Sequence, residues 1–146
     1  MKKIGIDDAV KPEDKSCVVF FDGVCNLCNA FIDFVIRHDK NKQIFYTSLQ
    51  SQTAENLLKP YDVNPTQGMT TIYFLEKKVL YSQSTAVLKI MQKLGKRKRF
   101  IARFLLLFPR VIRDLAYVFI ALNRYRFFGK KQSCRLPSVE EARQFI

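Results

Sequence analysis

Cys25 and Cys28 stand three positions apart in the stretch Asp22-Gly23-Val24-Cys25-Asn26-Leu27-Cys28. Ahead of them Ser16–Phe21 is a β-branched and aromatic run, and Asp22-Gly23 is a turn signal. Behind them Leu27, Phe31, Phe34 and Val35 recur at helical spacing. The pair is therefore predicted at a strand-to-helix junction, on the first turn of the helix. Unpaired backbone N–H groups and the helix dipole there stabilise a thiolate at Cys25, which becomes a nucleophile near neutral pH. Cys28, one turn on, can attack the resulting mixed disulfide and release the product, and the two sulfurs can close a disulfide of their own. Zinc is the competing chemistry. A structural zinc site needs four ligands, commonly from two pairs, whereas this chain has one pair with Cys17, Cys134 and His38 scattered elsewhere.

Asp22 admits two roles. Asp-Gly favours a tight bend, and a carboxylate at this position could also accept the proton of the resolving thiol. An ionised Asp22 raises the pKa of a neighbouring thiol, so direct activation of Cys25 is not expected of it. Cys17 lies in the predicted strand and reads as a small buried hydrophobe. Cys134 follows a Gly-Lys-Lys-Gln-Ser loop and reads as a packing residue. His38 falls at the end of the first helix, too far along to pair with Cys25.

The elements that must hold the pair alternate strand and helix. Gln43–Thr47 reads as a second strand, Thr53–Leu58 as a short helix stopped by Pro60, and Thr70–Leu75 with Val79–Tyr81 as a hairpin. A helix from Ser84 to Leu94 follows, with Gly95 as its stop. The order β-α-β-α-β-β-α predicts an α/β fold, a small mixed sheet covered by helices. Beyond it Lys96–Phe108 reads as a helix with Phe100, Phe104, Leu105 and Phe108 on one stripe, expected to pack on the sheet with its charges left in water. Pro109 opens a last helix running to Phe128 and Gly129. On that helix Asp114, Tyr117, Ala121, Arg124, Tyr125 and Phe128 share a face, although spacing does not say what the face meets. The organisation expected is an N-terminal extension over 1–15, a core over 16–95 and a helical extension over 96–146 packed on the core.

Composition narrows the partners. The chain has 146 residues, 48% hydrophobic and 26% charged, which fits one globular domain. Its four cysteines are too few to staple a small disulfide scaffold. The net charge of +12 is unevenly spread: residues 1–90 hold 11 Lys+Arg and 10 Asp+Glu, whereas residues 91–146 hold 14 and 3. Basic amphipathic helices read as membrane-surface or partner-binding elements, so an anionic membrane surface is an added partner the C-terminal helices could take, beside the plain reading of charges left in water. Nucleic acid is not expected, since no binding motif accompanies the charge. The first residues carry no apolar run behind their lysines, and no stretch is long enough to span a bilayer, so the expected compartment is the cytoplasm.

The run Val19-Phe20-Phe21-Asp22-Gly23-Val24-Cys25-Asn26-Leu27-Cys28 resembles the signature of the DCC-type thiol-disulfide oxidoreductases, named after the residues matched here by Asp22, Cys25 and Cys28. Tyr81–Leu88 resembles the family's segment before its third helix. Pro109-Arg110 through Arg113-Asp114, Tyr117, Asn123-Arg124-Tyr125, Phe128-Gly129 and Cys134 are similar to its C-terminal signature. The resemblance implies a thioredoxin-like mixed four-stranded sheet with flanking helices and a basic helical extension. It also implies thiol-disulfide exchange of the protein-disulfide reductase type on a protein or small-molecule disulfide, with Cys25, Cys28 and Asp22 as the catalytic set. Separately, Gln83-Ser84-Thr85-Ala86-Val87 resembles the turn with which glutathione transferases and glutaredoxins hold the γ-glutamyl carboxylate. That likeness implies glutathione as a co-substrate at Ser84 and Gln83, with no other cofactor and no metal, while the plain reading makes Ser84 a helix N-cap. Thioredoxin folds usually place a cis-proline before the third strand. Here Gly68-Met69-Thr70 hold that place and Pro65 is the nearest proline, so the substrate-binding edge is expected to differ. The alternative reading is a non-catalytic binding module, either zinc-stapled or a basic membrane-surface adaptor.

Overall fold

The first strand, β1 (Cys17–Phe21), is buried at every residue. A continuous apolar run is what a strand covered on both faces requires. The computed structural model describes residues 17–65, 71–129, 138–139 and 141–146. The expectations for residues 1–15, for Gly68-Met69-Thr70 and for Cys134 lie outside the described residues. After β1 come α1 (Asn26–His38), β2 (Phe45–Ser48), α2 (Gln52–Leu58) with a 3-10 turn at Lys59–Tyr61, and the hairpin β3 (Tyr73–Glu76) and β4 (Val79–Ser82). Then follow α3 (Gln83–Met91), α4 (Lys96–Leu106), α5 (Arg110–Phe128) and a last 3-10 turn at Glu141–Arg143.

The sheet order is β2-β1-β3-β4. β1 and β2 run parallel with Val18 opposite Phe45, while β1 pairs antiparallel with β3 and β3 with β4. This is the thioredoxin-like mixed four-stranded sheet expected. Alternation along β1 sorts the core. Cys17, Val19 and Phe21 face Ile32 and Val35 of α1 and Ala86 and Ile90 of α3, whereas Val18 and Phe20 face Ala54 and Leu58 of α2. Cys17 is thus the buried hydrophobe predicted. The β3–β4 turn places Lys77 and Lys78 at positive φ, which matches the twist of a two-residue hairpin.

The C-terminal residues return to the core. Tyr46 N–H donates to Gln144 O at 2.7 Å and Ile146 N–H to Tyr46 O at 2.9 Å, so the chain end lies along the outer edge of β2. Asp39, buried, accepts from Ile44 N–H at 3.1 Å and from the Gln144 side chain at 3.2 Å. An otherwise open sheet edge is covered by this strap. One expectation is overturned on the other side of the molecule. The stripe Phe100, Phe104, Leu105 and Phe108 does not pack on the sheet but faces water, and the buried residue of α4 is Ala102. The sheet face is already filled by α1 and α3 with Tyr117 of α5 against them, so α4 lies outside that layer, against α3.

Candidate active site

Cys25 is the N-cap of α1, in extended backbone, and Cys28 N–H donates to its sulfur at 3.4 Å. The turn ahead of it is closed three times. Cys25 N–H donates to Asp22 O at 3.3 Å, Val24 N–H to Asp22 Oδ1 at 3.2 Å, and Gly23 N–H to Gln50 Oε1 at 3.2 Å. Asn29, buried one turn into α1, donates its amide to Gly23 O at 2.9 Å and Cys25 O at 2.8 Å. Cys25 and Cys28 are both free thiols, Cys25 buried and Cys28 half-buried.

Asp22 is buried below the turn, and four groups are among those its carboxylate meets. Gln50 Nε2 donates to Oδ1 at 2.8 Å, the Tyr125 hydroxyl donates to Oδ2, and Arg124 Nη2 lies 3.5 Å from Oδ2. The fourth is the Val24 N–H. Burial alone would raise the Asp22 pKa, but hydrogen bonds from Tyr125, Gln50 and Val24, with the Arg124 charge, hold it below the ordinary carboxylate value. Arg124 is itself buried, with its guanidinium 4.6 Å over the Tyr125 ring and Nη1 donating to Ala121 O at 2.7 Å.

The thiols split in opposite directions. The Cys28 thiol donates to Cys25, and this bond, with the Cys28 N–H and the Arg124 charge, outweighs burial and the Asp22 charge to lower Cys25 from 9.0 to about 6. The same sulfur–sulfur bond, burial and the negative charge of its neighbours push Cys28 far up. At neutral pH the pair is one thiolate beside one thiol that hydrogen-bonds to it, an arrangement suited to thiol-disulfide exchange.

α5 completes the site. Its C-terminal carbonyls meet the N-terminus of α1: Asn26 N–H donates to Gly129 O at 3.4 Å and Asn26 Nδ2 to Phe128 O at 2.8 Å. Residues on both sides of Cys25 are therefore bonded to α5. The family model for DCC1-like thiol-disulfide oxidoreductases matches residues 19–130. The chain belongs to that family. It is 42% identical over 130 residues to the uncharacterized protein YuxK of Bacillus subtilis (strain 168), covering 88% of this chain and 93% of that one. It is 40% identical over 124 residues to the chloroplastic DCC family protein At1g52590 of Arabidopsis thaliana, covering 85% of this chain and 72% of the relative. No solved structure matches.

In this DCC family member the fold brings Asp22, Cys25 and Cys28 together, as the motif implies. Gln83 and Ser84 stand at the start of α3 and are engaged there. Gln83 has φ +54 and donates its N–H to Ile72 O at 3.2 Å. Ser84 is not the N-cap expected. Ser82 holds that place without a side-chain bond, and the Ser84 hydroxyl donates to Asp114 of α5, with Arg113 Nη1 at 3.4 Å. A carboxylate of the chain itself thus meets the hydroxyl and the N–H of Ser84 on the first turn of α3. Tyr117 of α5 is tied to the start of β3, accepting from Ile72 N–H at 3.0 Å and from the Thr71 hydroxyl at 2.8 Å. His38 packs on Phe34 with ring centroids 4.4 Å apart, and no group of three metal-ligating side chains gathers among the described residues. Gln50 and Tyr125 are the site residues that sequence reasoning passes over. Tyr125 was legible as a member of the α5 face, whereas Gln50 sits in an ordinary polar loop and carries no signal.

Proposed function

We propose that the chain is a thiol-disulfide oxidoreductase of the protein-disulfide reductase type, with Cys25 as the attacking thiolate and Cys28 as the resolving thiol. The observation that carries this reading is the placement of the pair at the start of α1, with Cys25 as the N-cap and Cys28 N–H donating to its sulfur at 3.4 Å; Cys25 is lowered to about 6 and Cys28 is raised. The Cys25 thiolate attacks one sulfur of a substrate disulfide, forming a mixed disulfide and releasing a substrate thiolate. That thiolate takes up the proton that Cys28 gives up, and Cys28 then attacks the Cys25 sulfur. The second substrate sulfur leaves as a thiolate that takes a proton from water, two electrons have passed to the substrate, and a Cys25–Cys28 disulfide remains. A thiol donor returns the pair to the reduced state. The compartment proposed is the cytoplasm, where a reducing poise supports that return.

Asp22 in this reading shapes the turn and sets the local charge. Held low by its partners, it is a weak base toward a thiol whose pKa is raised. Glutathione is proposed as the donor, its carboxylate meeting the start of α3 at Ser84 and Gln83. Asp114 already bonds the Ser84 hydroxyl, so glutathione must displace it there.

Residue exposure favours the opposite assignment, since Cys28 is half-buried and Cys25 buried. Trapping separates the two. With Cys25 as attacker, Cys28→Ser accumulates mixed disulfides with a model disulfide and Cys25→Ser does not. Titration of wild-type alkylation against pH, paired with a glutathione redox titration, tests the activity itself. A single midpoint near 9 with no reversible Cys25–Cys28 disulfide would sink the proposal.

A further inference from the structure

α5 is amphipathic in the reverse sense of an ordinary surface helix. Its polar and ionic residues Asp114, Tyr117 and Arg124 turn inward to Ser84, Ile72 and Asp22. Its outward face is apolar: Val111, Leu115, Phe119 and Leu122, on one stripe at helical spacing, are each between 66% and 71% exposed. α4 carries exposed rings of its own, Phe100 at 73% and Phe104 at 56%. A row of exposed apolar side chains of this length marks a surface that something covers.

The charge around the patch says what that is. Lys96, Arg97, Arg103 and Arg126 are exposed on the same two helices. Asp114 is the one acid between Met91 and Val139, and it is turned to Ser84 and Arg110. A second copy of the chain would bring like charges together with no acidic side chain on this surface to answer them. Long basic side chains ringing exposed Phe and Leu suit an anionic lipid interface, where the rings enter the acyl boundary and the cations reach the headgroups. We propose that the outer face of α4 and α5 is a peripheral docking surface for anionic membranes. α5 lies along the interface rather than across it, since no helix among the described residues is long and apolar enough to span a bilayer. This surface stands on exposure and charge and does not rest on the redox reading.

The test mixes the full-length chain with phosphatidylcholine vesicles, with and without about 30% phosphatidylserine, at about 0.1 M salt. The chain co-sediments with the anionic vesicles and at least about tenfold less with the neutral ones, and about 0.5 M salt releases it. Leu115→Glu with Phe119→Glu, and separately Arg97→Glu with Arg103→Glu, each cut partition at least about tenfold. Both leave circular dichroism and the Cys25 alkylation profile unchanged. The arginine pair is confined to exposed side chains, so it stays informative where the apolar pair fails to fold. Absence of vesicle binding overturns the proposal, as does binding indifferent to phosphatidylserine or to the arginine changes. A lipid-free dimer that Leu115→Glu with Phe119→Glu dissociates overturns it too, and assigns the face to a second copy.

Discussion

At the scale of single residues, the site is a small balance of charge around one sulfur. Cys25 gains from the Cys28 thiol and N–H and from Arg124, and loses to burial and to Asp22. Asp22→Asn keeps an acceptor for Val24 N–H and removes the negative charge. Its Cys25 alkylation midpoint is expected below that of the wild type, itself about 6. Because the ion-paired carboxylate is a weak base, the resolution rate of a trapped mixed disulfide should stay within about tenfold. A loss of a hundredfold or more would assign Asp22 the proton relay instead. Arg124→Met moves the midpoint the other way, since the thiolate loses its cation and Asp22 its counter-charge. Breaking a buried pair of this kind also costs about 3 kcal/mol, read from urea unfolding.

At the scale of elements, the joint between α5 and α1 is made at Asn26, next to Cys25. Gly129 has φ +80, and a Cβ added there would meet Asn26 Nδ2 at 2.9 Å. Gly129→Ala is therefore expected to cost about 1–2 kcal/mol and to push the end of α5 away from Asn26. Two readouts then diverge. The limiting alkylation rate of Cys25 at high pH rises because the sulfur is uncovered, while its midpoint climbs as Arg124 withdraws. A second joint ties α5 to α3. Asp114→Ala removes the carboxylate on the first turn of α3, costing about 1 kcal/mol, and frees Ser84; the KM for glutathione in turnover should fall. An unchanged KM would remove glutathione from Ser84. The strand and helix of the Cys pair were legible because a continuous β-branched and aromatic run reports a strand covered on both faces, and a period of 3.6 reports a half-buried helix. The joints were not. Helical spacing put Asp114, Tyr117, Arg124 and Tyr125 on one face, but a face carries no record of its target, here Ser84, Ile72 and Asp22. The stripe on α4 failed for a related reason: its pattern reports an apolar face, and the sheet surface it should cover was taken.

For the molecule as a whole, thiol ionisation is coupled to folding. Cys25 has its folded pKa lowered from 9.0 to about 6, so between these values the unfolded chain holds a proton that the native chain has lost. Stability then rises with pH across that window, and the contribution disappears as pH falls through about 6. Cys28 acts in the opposite sense above pH 9, because its folded pKa is raised and the native chain keeps a proton that the unfolded one releases. The reduced chain should therefore gain Tm from pH 6 to 8 relative to a variant carrying Cys25→Ser and Cys28→Ser, which shares every other titrating group. Closing the Cys25–Cys28 disulfide removes both ionisations, and with them the difference in slope. Stabilising the thiolate stabilises the reduced form, which makes the disulfide more readily reduced than one between unperturbed thiols. Parallel pH profiles of Tm for the reduced chain and the double variant would show that Cys25 is not ionised in the native state, and the charge balance around it would have to be abandoned.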